Sequence, residues 1–196
     1  TNPLPNPREA ELKLDDGTQE FGGSADGLLV VNRVTPPSYP ATLRKLRVMI
    51  PQLEQEPDPT GQPITLWVAA QPNANGQPPP GNQFTRIQTT VPSASNELFL
   101  EFPIPNGPTL TSGDFYVGYQ VPAPYQGTGF ALDQSAATET RSFISDDNGA
   151  SFVLLTEPGE PPTNAMIRAQ VEIGGPAPTP TPKPAPTPTP TPRSNA

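Results

Sequence analysis

The sequence predicts an all-β domain: a two-sheet, antiparallel, jelly-roll-like β-sandwich, with an extended proline-rich arm before it and a proline-rich tail behind it. Three observations carry this. Thirty-two prolines and sixteen glycines in 196 residues interrupt the chain too often for helices, because an interior proline costs a helix about 3 kcal/mol. Short runs rich in Val, Ile, Leu and Phe recur between clusters of Pro, Gly, Asn and Asp. Several of those runs alternate with a period of two, and none keeps a 3.6-residue period over three turns. The chain divides into an arm at 1–10, a sandwich at 11–174 and a Pro/Thr tail at 175–196. The middle part is long enough to bury roughly two-thirds of its unfolded surface.

The arm, TNPLPNPREA, holds prolines at 3, 5 and 7 and reads as extended. A short strand over 11–14 ends in the turn Asp15-Asp16-Gly17-Thr18. A second spans 27–34 and stops at a corner built from Pro36, Pro37 and Pro40. Leu46, Val48 and Ile50 then alternate with Lys45, Arg47 and Met49, the pattern of a half-buried strand with Arg44, Lys45 and Arg47 toward solvent. Ile64, Leu66, Val68 and Ala70 face the core, which puts Trp67 on the opposite side. Packing beneath a loop is the favoured role for Trp67, and a ligand platform is the alternative. The loop at 71–82, QPNANGQPPPGN, is a clear break. Strands over 84–91 and 97–104 follow, the second with Leu98, Leu100, Phe102 and Ile104 on one face. Ser112-Gly113-Asp114 opens the strand of Phe115, Val117, Tyr119 and Val121. Shorter strands lie at 130–132, 142–145 and 152–155. The last, over 166–173, turns Ile167, Ala169, Val171 and Ile173 inward. About ten strands suffice for two packed sheets, and turns roughly every 8–15 residues favour a sandwich over a barrel.

The chain has no cysteine and no histidine, which removes the thiol nucleophile, the commonest general base and the commonest zinc ligand. A carboxylate pair could still cleave a glycoside. The candidates are Asp15, Asp16, Glu101, Asp133, Asp146 and Asp147, but turn chemistry accounts for most of them. The expectation is no catalytic residue, no cofactor and no metal site. Asp146-Asp147-Asn148-Gly149 is the candidate calcium loop, with short oxygen-bearing side chains that suit that ion but without EF-hand spacing. A net charge of −8 offers phosphate backbones no counter-charge, so nucleic acid is not an expected partner. No apolar run approaches 18 residues, so no membrane insertion is expected. Thr1 in place of an initiator Met fits a chain trimmed of a secretory signal.

The stretch Ser145-Asp146-Asp147-Asn148-Gly149-Ala150-Ser151-Phe152 resembles an Asp box, the hairpin of sialidases and other secreted β proteins. The resemblance implies a structural role: Ser145 and Asp147 tie down the turn, Gly149 takes a positive φ and Phe152 anchors in the core. More broadly, four segments make residues 11–174 resemble the accessory β-sandwich domains of secreted bacterial proteins. They are Asp15-Asp16-Gly17-Thr18, Ser112-Gly113-Asp114-Phe115-Tyr116-Val117-Gly118, Arg141-Ser142-Phe143 and Met166-Ile167-Arg168-Ala169. That resemblance implies a sandwich fold and an extracellular or cell-surface location, with no catalytic residues to carry over.

From Pro176 to Pro192 every second residue is proline. Proline fixes its own φ near −65° and pushes the residue before it out of the helical region. The run is therefore pre-extended, and at about 3.1 Å per residue it reaches roughly 50 Å, against a domain about 40 Å across. No second module follows in the sequence, so the run is expected to connect copies of the chain. The leading expectation is a non-catalytic extracellular structural protein, a homopolymer subunit of a filament or surface layer clasped through its tail. O-linked glycans are expected on Thr179, Thr181, Thr187, Thr189, Thr191 and Ser194. The alternative is a carbohydrate- or surface-binding accessory module of a secreted enzyme, with Trp67, Tyr116 or Tyr125 on an exposed ligand face.

Overall fold

The computed structural model describes residues 8–23, 26–72, 75–95, 97–136, 140–156, 160–161 and 163–174. The tail at 175–196, with its six candidate glycosylation residues, lies outside them, as do residues 1–7 of the arm. Fourteen strands and a single 3-10 turn at Gly81–Gln83 order the described residues. In chain order the strands are β1 Arg8–Leu12, β2 Phe21–Gly23, β3 Leu29–Val34, β4 Ala41–Val48, β5 Pro63–Gln71, β6 Thr85–Thr90 and β7 Leu100–Pro103. There follow β8 Thr109–Leu110, β9 Asp114–Gln120, β10 Phe130–Asp133, β11 Ser142–Ser145, β12 Val153–Leu154, β13 Asn164–Ala165 and β14 Ile167–Ile173.

They assemble into three antiparallel sheets. A six-stranded sheet runs β12-β11-β3-β9-β5-β6, and a five-stranded sheet runs β1-β14-β4-β7 with β8 also on β4. A three-stranded sheet, β13-β10-β2, lies beside the start of β14, where the Met166 amide donates to Ala131 O at 3.1 Å. The all-β sandwich is thus the fold, with a small third sheet in addition to the two expected.

The period-two segments point inward as their patterns dictate. Ile167, Ala169, Val171 and Ile173 of β14 are buried while Arg168, Gln170 and Glu172 are half-exposed. They meet Val30 and Val34 of β3, Ile64, Leu66 and Val68 of β5, and Phe115, Val117 and Tyr119 of β9 in one core cluster. Gly118 lets β9 lie close to β3, since a Cβ there would fall 2.1 Å from Val30 O. In β4 the register against β14 slips: Lys45 pairs with Gln170, Leu43 with Val171, and Arg44 is left over. This bulge sets two consecutive side chains, Arg44 and Lys45, toward solvent without moving Leu43 or Leu46 out of the core.

A buried polar knot joins the sheets. Asn32, fully buried in β3, donates from Nδ2 to Ala165 O (2.8 Å) and Ile167 O (2.9 Å), and its Oδ1 accepts from Ser142 Oγ (2.7 Å). Ser142 Oγ in turn accepts from the Ala165 amide at 3.1 Å. Every polar atom of the pair has a partner, so the knot is stabilising where an unpaired amide would be costly.

Several expectations are corrected. β1 begins at Arg8, so residues 8–10, read as arm, are strand paired with β14. Leu98 is 66% exposed because β7 starts only at Leu100, and the alternation expected from 98 does not yet apply there. Trp67 and Tyr116 are fully buried and Tyr125 is 8% exposed, so none of the three forms an exposed ligand face. Trp67 takes the loop-covered role, for a reason that the outer side of the six-stranded sheet makes plain.

Candidate functional site: an apolar furrow beside the β11–β12 hairpin

The outer side of the six-stranded sheet carries a second apolar cluster of Leu29, Val31, Trp67, Ala69, Phe84 and Tyr116, with Phe152 packed on it. Two loops close over it. One is the 3-10 turn, which brings Phe84 edge-on to Trp67 at 5.4 Å between ring centroids. Arg86 lies over the Trp67 ring at 3.9 Å, in cation–π contact. The other loop is the hairpin between β11 and β12. There Ser145 Oγ donates to Asp147 Oδ1 (2.8 Å) and accepts from the Gly149 amide (2.8 Å). Asp147 also accepts from the Ser151 amide (2.9 Å) and the Ser151 hydroxyl (2.6 Å). These donors, the Ser151 hydroxyl first, hold the Asp147 carboxyl down at about 2. Gly149 has φ +81°, and a Cβ on it would lie 3.0 Å from the Trp67 ring and 3.1 Å from Gly81 Cα. Its carbonyl accepts from the Gly81 amide at 2.9 Å, which latches the two loops together. Phe152 sits 6.0 Å from Phe84.

Where β11 and β12 meet the three-stranded sheet, the apolar surface is left open. Alternation along β10 puts Phe130 and Leu132 on the open side and turns Ala131 toward Met49 and Met166. Phe21 of β2 stands opposite Leu132, and Ile144 of β11 stands between Val30 and Val153. Together Phe21, Leu28, Val30, Phe130, Leu132, Ile144 and Leu155 wall a hollow of about 180 Å³. Two adjoining hollows share those walls. One of about 240 Å³ continues past Leu28 and Ile144 to Asp146, Ser151 and Val153. The other, of about 290 Å³, continues past Phe21, Leu132 and Leu155 to Gln134, Glu160 and Thr163. The result is a furrow with an apolar middle and one carboxylate toward each end. Phe21 and Val153 along it are 53% and 60% exposed. A wider recess of about 420 Å³ between β1 and the end of β3 has a rim of mixed sign, Glu11, Lys13 and Arg141, with Arg141 already donating to Thr35 Oγ1 at 3.0 Å.

Of the carboxylates considered for catalysis, Asp15, Asp16, Glu101 and Asp133 do not line the furrow and are paired, whereas Asp146 lines one end of it and Asp147 is held within the hairpin. Asp15 is buried and pairs with Arg168. Asp133 is fully buried and accepts from the amides of Asp16 (2.7 Å), Ser135 (2.8 Å) and Ala136 (2.9 Å), stapling two loops. The Thr18 hydroxyl holds Asp16 below the ordinary carboxylate range. The bond from Lys45 Nζ at 2.8 Å does the same for Glu101. In the hairpin weighed for calcium, both Asp147 oxygens accept from serines and Asn148 Oδ1 accepts from Gln120 at 2.9 Å. Among the described residues no group of three or more acidic side chains is arranged to hold a metal ion.

The sequence reading missed the furrow. Its walls come from 21–30, 130–132 and 144–155, which share no motif, and β2 is too short to show a period. The available signal was Phe21 standing among polar and glycine residues, with no alternation to bury it.

No family model matches the chain, and no curated protein matches it. Solved structures do. The chain is similar to a clostridial cysteine protease, Cwp84, after propeptide cleavage, with a TM-score of 0.63 at 18% identity over 84% of this chain and 40% of that one. It is also similar to the cysteine protease and lectin-like domains of Cwp84, a surface layer associated protein of Clostridium difficile. That match has a TM-score of 0.60 at 16% identity over 84% of this chain and 36% of that one. The chain thus spans about two-fifths of those proteins' length, and the likeness is one of fold.

Proposed function

We propose that this chain is a non-catalytic accessory module of an extracellular, surface-associated protein, and that it works by holding a partner in the apolar furrow. The exposed furrow carries this. Phe21 walls a hollow lined by further apolar side chains and Val153 walls the one adjoining it, both exposed, on a domain whose core residues are otherwise well covered. Leaving such surface in water forgoes about 25 cal/mol per Å², and contiguous exposed apolar surface marks interaction sites on soluble proteins. The surface location is supported by the fold shared with the surface layer associated protein.

In its finer form the module is a subunit of a homopolymer, joined through the proline-rich tail, with O-glycans on the tail hydroxyls. Sedimentation velocity of the full chain over a wide concentration range tests this. Self-association that grows with concentration is the expected result, and a monomer throughout contradicts the homopolymer.

One observation favours a second reading, a carbohydrate-binding module. The exposed Phe21 ring stands beside Gln134, Glu160 and Thr163, the combination of one apolar face and a few polar groups that small-ligand sites use. Glycan-array binding by a monomeric chain, lost in Phe21→Ser, would favour it over self-association.

A further inference from the structure

We infer that the furrow is the seat of the proline-alternating run 176–192 of a second copy of this chain, an inference that rests on the homopolymer form of the proposed function. Three properties of the two surfaces match. First, pre-extended proline segments bind apolar grooves with exposed aromatic rings because little entropy remains to be lost on ordering. The furrow supplies that surface, with Phe21 at one wall and Val153 at the other end. Second, charge is complementary. The tail carries Lys183 and Arg193 and no acid, so residues 1–174 hold nine basic against nineteen acidic side chains. Asp146 and Glu160 place two of those acids toward the ends of the furrow.

Third, direction favours a neighbouring copy. The tail departs after Gly174, whose amide donates to Pro40 O at 3.1 Å at the end of β14. The furrow adjoins the other end of that strand, through β10 and β13. The seven residues of β14 separate the two by about 23 Å. A run with proline at every second position is pre-extended, so its own furrow requires a sharp reversal at Gly174-Gly175, whereas a reach of roughly 50 Å carries the run beyond the domain that bears it without one.

The test uses the absence of cysteine from the chain. Full-length Val153→Cys and full-length Thr187→Cys are mixed and oxidised. In parallel Thr187→Cys is mixed with Gln88→Cys, which places the thiol on β6 at the opposite edge of the six-stranded sheet. Val153 and Gln88 are both exposed, so neither change should prevent folding. The expected result is a severalfold excess of disulfide-linked heterodimer at Val153→Cys, reduced by Phe21→Ser in the same chain and by added salt. Equal yields at the two positions would overturn the inference. So would a bond that forms only within one chain in the double variant Val153→Cys/Thr187→Cys. Sedimentation of the unsubstituted chain separates the two levels. Self-association without preferential crosslinking at Val153→Cys refutes the seat and leaves the homopolymer, whereas a strictly monomeric chain refutes both.

Discussion

Two apolar surfaces adjoin the six-stranded sheet, one on its outer face and one at an open edge of the main core, and they are finished differently. The patch around Trp67 is roofed by the 3-10 turn and the β11–β12 hairpin, and Trp67 ends fully buried. The furrow between Phe21 and Val153 has walls of the same chemistry and no roof among the described residues. The roofed patch shows what closing such a surface takes: a hairpin locked by one serine and one aspartate, a glycine that clears the indole, and a backbone bond between the loops. The same hairpin also runs along the furrow, through Asp146, Ser151 and Val153. One short segment therefore seals a core on one side and borders an open surface on the other. Hydrophobic composition alone does not separate the two roles; the cover does.

The comparison can be broken most forcefully at Trp67. Trp67→Ala should cost about 3–5 kcal/mol of stability in chemical denaturation, as a fully buried aromatic does. Phe21→Ser should leave the denaturation midpoint nearly where it is, within about 0.5 kcal/mol. Equal losses would mean that the furrow is a structural core and not a free surface. Gly149→Ala tests the roof itself. A Cβ at φ +81°, pressed against the Trp67 ring and Gly81, should cost about 1–3 kcal/mol and raise the proteolytic sensitivity of 145–152 before the rest of the chain.

A subtler lever is acid. Asp147 sits at about 2 in the fold, below the 3.8 of an ordinary aspartate. Its carboxylate therefore stabilises the native state above the unfolded value, and that contribution drains as pH falls from about 4 to about 2. Asp147→Asn should flatten this part of the acid-denaturation profile, and a profile identical to that of the natural chain would mean that the hairpin does not depend on the charge. The smallest effect belongs to Tyr125, whose buried hydroxyl has no partner among the described residues and whose burial pushes it up to about 12. Tyr125→Phe should be neutral or slightly stabilising, whereas Tyr119→Phe loses a 2.7 Å bond to Gly129 O and should destabilise.

The roofed side was legible in the sequence to a degree that the open side was not. The alternation of β4, β5, β9 and β14 locates the core strands because each has enough residues to display a period. It also sets Trp67 opposite the core, where the S-x-D-x-G-x-x-F pattern supplies one of its covering loops. β2, β8 and β13 have two or three residues each, too few for any period, so the third sheet and the furrow beside it were invisible. Beside Trp67, the other two aromatics expected on a ligand face failed for opposite reasons. Tyr116 alternates correctly out of the main core but is buried in the Trp67 cluster, and Tyr125 follows β9 in a loop that folds back onto the main core. The Arg44 bulge likewise left no trace in the pattern beyond two adjacent cations.

Amide hydrogen exchange on the full chain, compared between dilute and concentrated solution, tests most directly whether a copy of the chain covers the furrow. The amides of β2 and β12 should gain protection as concentration rises, while those around Trp67 on β5 stay protected at both. Unchanged exchange at Phe21–Gly23 and Val153–Leu154 in solutions where the chain is self-associated would contradict it.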